Sequence, residues 1–297
     1  MDTTQVCPLC KSDQRSVFEH VTSFGFDLTY YQCQNCALIF QASDESQASD
    51  PNFYEETYRK VYQAQEEPTA KDLHIQRQRA MHRVQYLQSL GVERINRALD
   101  IGASTGIFLE TIAEKLQAQI MGVEPGKVYR HFAEARGITM AVSLDELLHT
   151  KHERFDLVSM MHVLEHLPDP LQTLSTIRES LLNPDGYLLI EVPNFYAHDS
   201  YELAHLMCFT PHSLRQMLLQ SGYYIINEQK SGFPRSKILN LYLTILAKPA
   251  QSGTGSRALI PDRQVRLKRD LAMFYRKVVQ KVFPGLAWQP IEPQEKR

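Results

Sequence analysis

The sequence predicts an α/β protein in which helices cover a largely parallel β-sheet, with a small cysteine-bearing unit in front of it. From residue 97 onwards, short apolar segments alternate with amphipathic ones. This alternation is typical of parallel sheets flanked by helices. A turn of small residues, 102–106, follows the first apolar segment, and two Cys-x-x-Cys pairs lie near the N-terminus.

Composition excludes several classes of protein. The 297 residues are 43% apolar and 22% charged, which excludes a disordered or fibrous chain and is consistent with about two domains. A net charge of −2 provides no general attraction to nucleic acid or anionic lipid. The N-terminus lacks a basic start with an apolar stretch, and the longest apolar run, 238–247, is too short for a membrane span. We therefore expect a cytoplasmic protein without a transmembrane segment.

The two cysteine pairs predict a metal site within a ribbon of residues 1–42. Cys7, Cys10, Cys33 and Cys36 supply four thiols, with 22 residues between the pairs. Four thiolates complete a tetrahedron around Zn²⁺, so the metal is expected to be structural. Two disulfides or four free thiols are the alternatives, and a reducing compartment disfavours the disulfides. A unit of this size buries little core, so metal binding would supply its folding energy.

The composition of residues 43–70 predicts a linker or a lid. Its first part, 43–56, is acidic and contains no Lys or Arg, and Tyr54 and Tyr58 share a helical face. Those phenols either pack on the next domain or reach a ligand. Residues 71–90 have helical periodicity, and Gly91 supplies a C-terminal stop.

The alternating part of the chain contains polar residues where its strands end. We predict strands at 98–102, 119–123, 155–160 and 187–192, with helices at 107–116 and 170–182. Ligands of such sheets bind beyond the carboxyl ends of the strands. Asp100, Gly102 and Gly106 lie at the first such end, and the glycines allow the backbone to approach a ligand. Glu124 ends the second strand, where a carboxylate can accept hydrogen bonds from ribose hydroxyls. The dinucleotide pattern G-x-G-x-x-G is not matched by this turn.

Four motifs in order resemble those of class I S-adenosylmethionine-dependent methyltransferases. They are residues 100–106, 123–125, 155–167 and 181–190, and the resemblance extends over a domain of residues 71–250. It implies a Rossmann-like seven-stranded sheet with a reversed last strand, for which 223–228 and 241–247 are the last two strands. The residues that it places at the cofactor are Asp100, Gly102, Ser104, Gly106, Glu124, Pro125, Met161 and His162. Ser104 departs from the family, which usually has glycine there.

The cysteine pairs and the Tyr-rich linker are similar to those of a narrower group, zinc-ribbon methyltransferases that include sugar C-methyltransferases. Residues 205–206, 209–210 and 213–214 match the substrate-side segment of that group, but Ala204 replaces its Glu. The resemblance implies a sugar or sugar-bearing acceptor, methylated on carbon or oxygen. The predicted substrate residues besides Tyr54 and Tyr58 are Asn194, Tyr201 and Glu202.

Two histidines are candidates for the catalytic base. A hydroxyl or carbon acceptor usually needs one, and imidazole suits near-neutral pH. His205 lies past the fifth-strand loop and either acts as base or only closes the pocket. His162 follows the fourth strand and is expected near the transferred methyl. Asn194 either binds substrate or caps its loop. Glu165 and His166 are expected to hold a turn.

The C-terminal extension, 251–297, begins with a Gly/Ser-rich joint and continues as an amphipathic basic helix over 262–282. Docking on its own domain or on a second subunit, with the basic face in solvent, is the favoured interpretation. Contact with a membrane surface or an anionic partner is the alternative.

Two other functions remain as alternatives. An RNA methyltransferase would use the ribbon to hold nucleic acid, but residues 1–40 contain two basic against four acidic side chains, which argues against nucleic acid as a partner. A catalytically silent binding module would keep the fold alone, and the motif acids Asp100 and Glu124 argue against it.

Overall fold

The computed structural model describes residues 6–23, 25–41, 67–150, 153–250 and 258–290. The predicted Tyr54 and Tyr58 lid and the Gly/Ser-rich joint lie outside these residues. The strands are β1 (Arg15–Ser23), β2 (Phe26–Cys33), β3 (Ile39–Gln41), β4 (Arg97–Ile101), β5 (Gln119–Val123), β6 (Thr139–Ala141), β7 (Phe155–Met161), β8 (Leu182–Pro193), β9 (Met207–Cys208), β10 (Tyr223–Ser231) and β11 (Tyr242–Pro249). The helices are α1 (Ala70–Ser89), α2 (Ile107–Leu116), α3 (Lys127–Glu134), α4 (Leu144–His149), α5 (Pro170–Thr176), α6 (Pro211–Gln220), α7 (Val265–Val282) and α8 (Pro284–Ala287).

The larger sheet has seven strands in the order β10-β11-β8-β7-β4-β5-β6. Strands β4 to β8 run parallel, and β11 is antiparallel to both β8 and β10. This confirms the predicted α/β sheet with a reversed last strand. The central strands are buried on both faces, which is why they read as continuous apolar runs.

Short polar signals set the helix boundaries. Thr69 and Asp72 form a reciprocal capping box at the start of α1. Asp169 caps α5, and Pro170 occupies its first turn, where a missing N–H costs nothing. The pivotal turn between β4 and α2 lacks a side-chain cap, and glycine starts the helix instead. The N–H groups in the first turn of α2 therefore have no partner within the helix, and they face the carboxyl edge of the sheet.

The N-terminal ribbon is continuous with the rest of the structure. Its strands β1, β2 and β3 form a second sheet, to which β9 adds a fourth strand from a distant part of the chain. Cys7, Leu38 and Phe40 also share one apolar cluster with Met207 and Phe209. The ribbon and the large sheet are thus packed through a common core.

Helix α7 docks on its own chain, but through the face opposite to the one that its periodicity suggests. Arg269 and Arg276 are buried, while apolar residues such as Leu271 and Phe274 face outward. The reason is that carbonyl oxygens of residues 195–198 need donors, and the two guanidinium groups supply them. The expectation of a solvated basic face is therefore corrected for Arg269 and Arg276, whereas Lys268, Lys277 and Lys281 are exposed as expected. Among the described helices, none combines the length and apolarity that a membrane crossing requires.

Candidate active site

A cavity of about 760 Å³ lies at the carboxyl ends of β4, β5, β7 and β8 and is covered by α1. This volume is in the range of roughly 300–1,000 Å³ that is usual for small-molecule sites. All eight residues predicted at the cofactor belong to this region, and seven of them line the cavity: Asp100, Gly102, Ser104, Glu124, Pro125, Met161 and His162. Gly106 lies behind them at the start of α2.

The turn after β4 is left-handed at alternate residues. Gly102, Ser104 and Gly106 have φ values of 77°, 50° and 76°. A Cβ at Gly102 would collide with Val163, and one at Gly106 would collide with Ile138. These close approaches explain both glycines. Ser104 adopts a conformation that glycine favours, which explains why a glycine is usual at this position.

Glu124 is held in place by the backbone of two neighbouring turns. Its carboxylate accepts hydrogen bonds from the N–H of Ser104 at 2.9 Å and from the N–H of Gly126 at 2.8 Å. The residue is only 9% exposed and lines the cavity. A fixed carboxylate at the end of β5 is suited to accept hydrogen bonds from two adjacent hydroxyls of a ligand.

Asp100 lies beneath the turn and is 3% exposed. The hydroxyl of Ser159 donates to it at 2.6 Å. Burial raises the pKa of Asp100 to about 7, although the Ser159 hydrogen bond opposes the rise. Near neutral pH this carboxyl group is therefore partly protonated.

His162 lies at the other side of the cavity, between two carboxylates. Its Nδ1 is 3.5 Å from Glu165 and its Nε2 is 3.3 Å from Glu191. Burial lowers the pKa of His162, but these two carboxylates outweigh it and raise the pKa above the ordinary value. Its φ of 58° is held by the hydrogen bond from its N–H to the Glu191 carbonyl. The two carboxylates therefore favour the protonated form of this ring, which lines the cavity.

Three residues of α1 complete the cavity, and sequence reasoning missed them. Gln76, Arg79 and Arg83 line it from one face of the helix. Arg83 forms a buried ion pair with Glu191, and Arg79 donates to the Tyr242 hydroxyl at 2.7 Å. The sequence signal that could have identified them is their spacing of three and four residues, which places them on one face of the helix. For Glu191 the signal was a lone acid within the apolar run of β8.

His205, one of the two candidate bases, lies behind the residues that line the cavity. It is buried and does not appear among the described residues that line the cavity. Its Nδ1 donates to the Ser200 carbonyl at 3.1 Å, and its ring lies 4.9 Å from that of His166, which does line the cavity. Burial lowers the pKa of His205 to about 3. The ring is neutral and lies behind His166, and the two roles predicted for His205, base or closure of the pocket, stay predictions.

The remaining predicted substrate residues also lie away from the described cavity lining. Asn194 donates to the Asn240 carbonyl at 2.7 Å and accepts from the Tyr196 N–H, so it caps its loop. Tyr201 packs against Tyr30 of the ribbon, with ring centroids 4.8 Å apart. The Glu202 carbonyl accepts from the Tyr30 hydroxyl at 2.8 Å. The segment thus joins the ribbon to the sheet, and a substrate role for Asn194, Tyr201 and Glu202 stays a prediction.

The four ribbon cysteines converge on one point. All four sulfur atoms lie within 4.8 Å of one another, with Cys7 and Cys36 at 3.5 Å and Cys10 and Cys33 at 3.4 Å. A tetrahedron with Zn–S bonds of about 2.3 Å has edges of roughly 3.8 Å. None of the four described cysteines is in a disulfide. The donor set and its size therefore fit a structural zinc ion.

The sheet order and the acid-flanked turn define a class I S-adenosylmethionine-dependent methyltransferase. The family model described as "Methyltransferase domain" matches residues 72–228, which is more than half of the chain, so the chain belongs to this family. The motifs that suggested it lie within the matched range.

Curated relatives cover only part of the chain. The ubiquinone biosynthesis O-methyltransferase of Actinobacillus pleuropneumoniae serotype 7 is 33% identical over 109 residues, 33% of this chain and 46% of that protein. The enzyme of the same name from Cereibacter sphaeroides is 36% identical over 104 residues, 33% of this chain and 41% of that protein. The chain therefore spans less than half the length of these relatives.

Solved methyltransferase structures are similar to this chain at low identity. A methyltransferase from Archaeoglobus fulgidus has a TM-score of 0.48 and 20% identity, covering 58% of this chain and 94% of that one. A second, from Clostridium acetobutylicum, has a TM-score of 0.46 and 12% identity, covering 65% of this chain and 96% of that one.

Proposed function

We propose that this protein transfers the methyl group of S-adenosylmethionine to an oxygen of a small hydroxyl-bearing acceptor, held at the cationic side of the cavity. The observation that carries this proposal is the grouping of Arg79, Arg83 and His162 along one cavity. The nucleoside side is assigned to Glu124 and Asp100. Methyl transfer to the acceptor would occur between these two sides.

Positive charge beside a hydroxyl acceptor favours methyl transfer, because it stabilises the deprotonated form of the hydroxyl. The bound sulfonium supplies an activated methyl group, so this chain has to orient the acceptor and favour its deprotonated form. A guanidinium or imidazolium group beside a hydroxyl lowers the pKa of that hydroxyl. Arg79 Nε is buried and has no hydrogen-bond partner among the described residues, so a donor is available for an oxyanion.

Oxygen is favoured over carbon and over a sugar acceptor for two reasons. The curated relatives are named O-methyltransferases. One segment resembles that of the sugar enzymes and contains Tyr201, Glu202 and His205. It packs against the ribbon, and these three residues are not among the described residues that line the cavity. An acidic hydroxyl, such as that of a phenol, needs no strong base and suits the cationic side best. His162 would orient the acceptor oxygen and stabilise its negative charge.

The ribbon cysteines are proposed to bind one structural zinc ion. Cys7, Cys10, Cys33 and Cys36 would be its ligands, and four thiolates leave no coordination position for a substrate. The zinc would therefore act on stability and on the position of β9, not on methyl transfer.

A transfer assay with labelled S-adenosylmethionine tests the proposed acceptor. Simple phenols and catechols, deoxysugar nucleotides and transfer RNA are offered in parallel, and methylation of the phenolic compounds is expected. Methylation of sugar or RNA alone would overturn the proposal, and binding of S-adenosylhomocysteine without any transfer would indicate a silent module.

The cationic side is tested with Arg79→Gln. This variant is expected to lower kcat by about 100- to 1,000-fold, the range found when one charge-stabilising donor is removed, while S-adenosylhomocysteine still binds. Arg77→Gln, on the exposed side of the same helix, is the matched control. Full turnover of Arg79→Gln would remove this residue from the acceptor side.

A further inference from the structure

Helix α7 presents an apolar face to solvent along its whole length. Leu267, Leu271, Phe274, Val278 and Val282 are all exposed, and Phe274 is 67% exposed. Their spacing of four, three, four and four residues places them in one stripe. At 1.5 Å per residue the stripe is about 22 Å long. Phe283, Leu286 and Trp288 add further exposed apolar side chains directly after the helix.

Buried arginines fix this orientation. Arg269 and Arg276 on the opposite face are only 6% and 8% exposed. Arg269 donates to the His198 carbonyl at 2.8 Å, and Arg276 donates to the Ala197 carbonyl at 2.9 Å and pairs with Asp199 at 2.6 Å. Turning the apolar stripe inward would take both arginines away from these carbonyls and place both cations elsewhere. The helix is therefore anchored with its apolar face outward.

Cations border the stripe on both sides. At 100° per residue, Lys268 lies along one edge, while Lys277 and Lys281 lie along the other. All three are exposed, and Asp270 is the single acid within α7. Lys268 also contacts Asp262 at 2.6 Å.

A neighbouring loop extends the positive rim beyond the helix. The exposed residues Arg235 and Lys237 are joined by backbone hydrogen bonds to Gln289 and Leu286. The positive charge therefore continues past the C-terminal end of α7, beside the exposed side chains of Leu286 and Trp288.

We propose that α7 docks in the surface of a lipid bilayer that contains anionic lipid. An apolar stripe bordered by Lys and Arg is the arrangement of helices that lie in the membrane interface. A second copy of the chain is the other candidate occupant, but self-pairing would place the cationic rims of two identical faces near each other. Anionic headgroups complement the same rims, and the acyl region accepts the stripe.

Vesicle flotation of the full-length protein tests the docking. Vesicles of phosphatidylcholine alone are compared with vesicles that also contain phosphatidylglycerol. Binding to the anionic vesicles, weakened by salt, is expected for the unmodified protein. Each cation near the surface contributes roughly a fivefold change in affinity. Lys277→Gln with Lys281→Gln is thus expected to lower binding about 25-fold.

The apolar stripe is tested separately. Leu271→Glu with Phe274→Glu is expected to abolish flotation without changing the melting temperature, because both side chains are exposed. Tyr224→Glu with Ile226→Glu, at exposed apolar positions of β10, is the matched control and should bind as the unmodified protein does. Failure of the unmodified protein to bind anionic vesicles would overturn the proposal. A dimer that Leu271→Glu with Phe274→Glu dissociates would overturn it in favour of a second copy.

Discussion

The guanidinium of Arg83 forms a buried ion pair with the carboxylate of Glu191, and each side chain is only 2% exposed. The pair joins α1 to β8. Burial raises the pKa of Glu191, but Arg83 overcomes this effect and holds that pKa at about 2. Glu191 is therefore ionised beside His162, and it raises the pKa of that ring. One ion pair thus sets both the helix position and the charge on one side of the cavity.

Removing one partner of this pair is expected to be costly. Arg83→Met leaves a buried carboxylate without its partner and should lower the free energy of unfolding by about 3–5 kcal/mol. Arg83→Met with Glu191→Leu removes both charges and should recover much of that loss. Urea denaturation of the three proteins measures both effects. A double variant no more stable than Arg83→Met would show that the pair does not act as a unit.

Cofactor affinity is expected to depend on Glu124. Glu124→Ala removes a charged hydrogen-bond acceptor, each bond to which is worth about 1.5–3 kcal/mol. The dissociation constant for S-adenosylhomocysteine should rise roughly 10- to 150-fold, as measured by calorimetry. Glu114→Ala, at an exposed acid in α2, is the control and should bind normally. Unchanged affinity of Glu124→Ala would disprove the assignment of this carboxylate.

Asp100 should make stability depend on pH. Its pKa is about 7 in the folded protein against 3.8 as the ordinary value, so between these values the unfolded state has lost a proton that the folded state retains. The free energy of unfolding therefore decreases as pH rises from about 4 to 7 because of this residue, by a few kcal/mol at 1.36 kcal/mol per pKa unit.

The Asp100→Asn variant removes that contribution. Its free energy of unfolding should decline less than that of the unmodified protein between pH 5 and pH 8, while its affinity for the cofactor falls. Urea denaturation at both pH values provides the comparison, and the difference between the two proteins cancels all other titrating groups. Identical declines would mean that Asp100 is ionised throughout.

Periodicity and motifs were sufficient for the sheet, and they also marked residues that line the cavity, such as Gly102 and Glu124. Gly102 and Glu124 are recognisable because backbone approach and ribose binding restrict the residue type at fixed places in the chain. The acceptor side was not predictable in the same way. Arg83 and Glu191 meet across α1 and β8, and no local rule pairs residues that far apart.

Two other features were beyond sequence reasoning. Strand β9 has two residues, too short for any alternation to show, yet it completes the ribbon sheet. The stripe of α7 was visible, but periodicity identifies a face without stating what covers it. Here buried arginines such as Arg269 occupy the docked face because they satisfy carbonyls that belong to a different part of the chain.

Removal of zinc is expected to destabilise the segment around β9 as well as the ribbon. Cys7, Cys33 and Cys36 belong to the same apolar cluster as Met207 and Phe209, and β3 pairs with β9. Loss of the metal should therefore loosen the packing of the segment that carries His205. Chelation, or the variant Cys10→Ser, is expected to remove one zinc per chain and to lower the melting temperature by about 10 °C or more.

The fifth cysteine supplies the matched control. Cys208 is buried, but its sulfur lies against the Ser200 carbonyl and outside the four-sulfur cluster. Cys208→Ala should therefore keep its zinc, as measured by elemental mass spectrometry. If Cys10→Ser retained one equivalent of zinc, or if chelation left the melting temperature unchanged, the cysteines would not hold a structural metal. A lower melting temperature with unaltered zinc in Cys208→Ala would instead measure packing at β9 alone, because that side chain fills the apolar cluster that includes Tyr30 and Phe195.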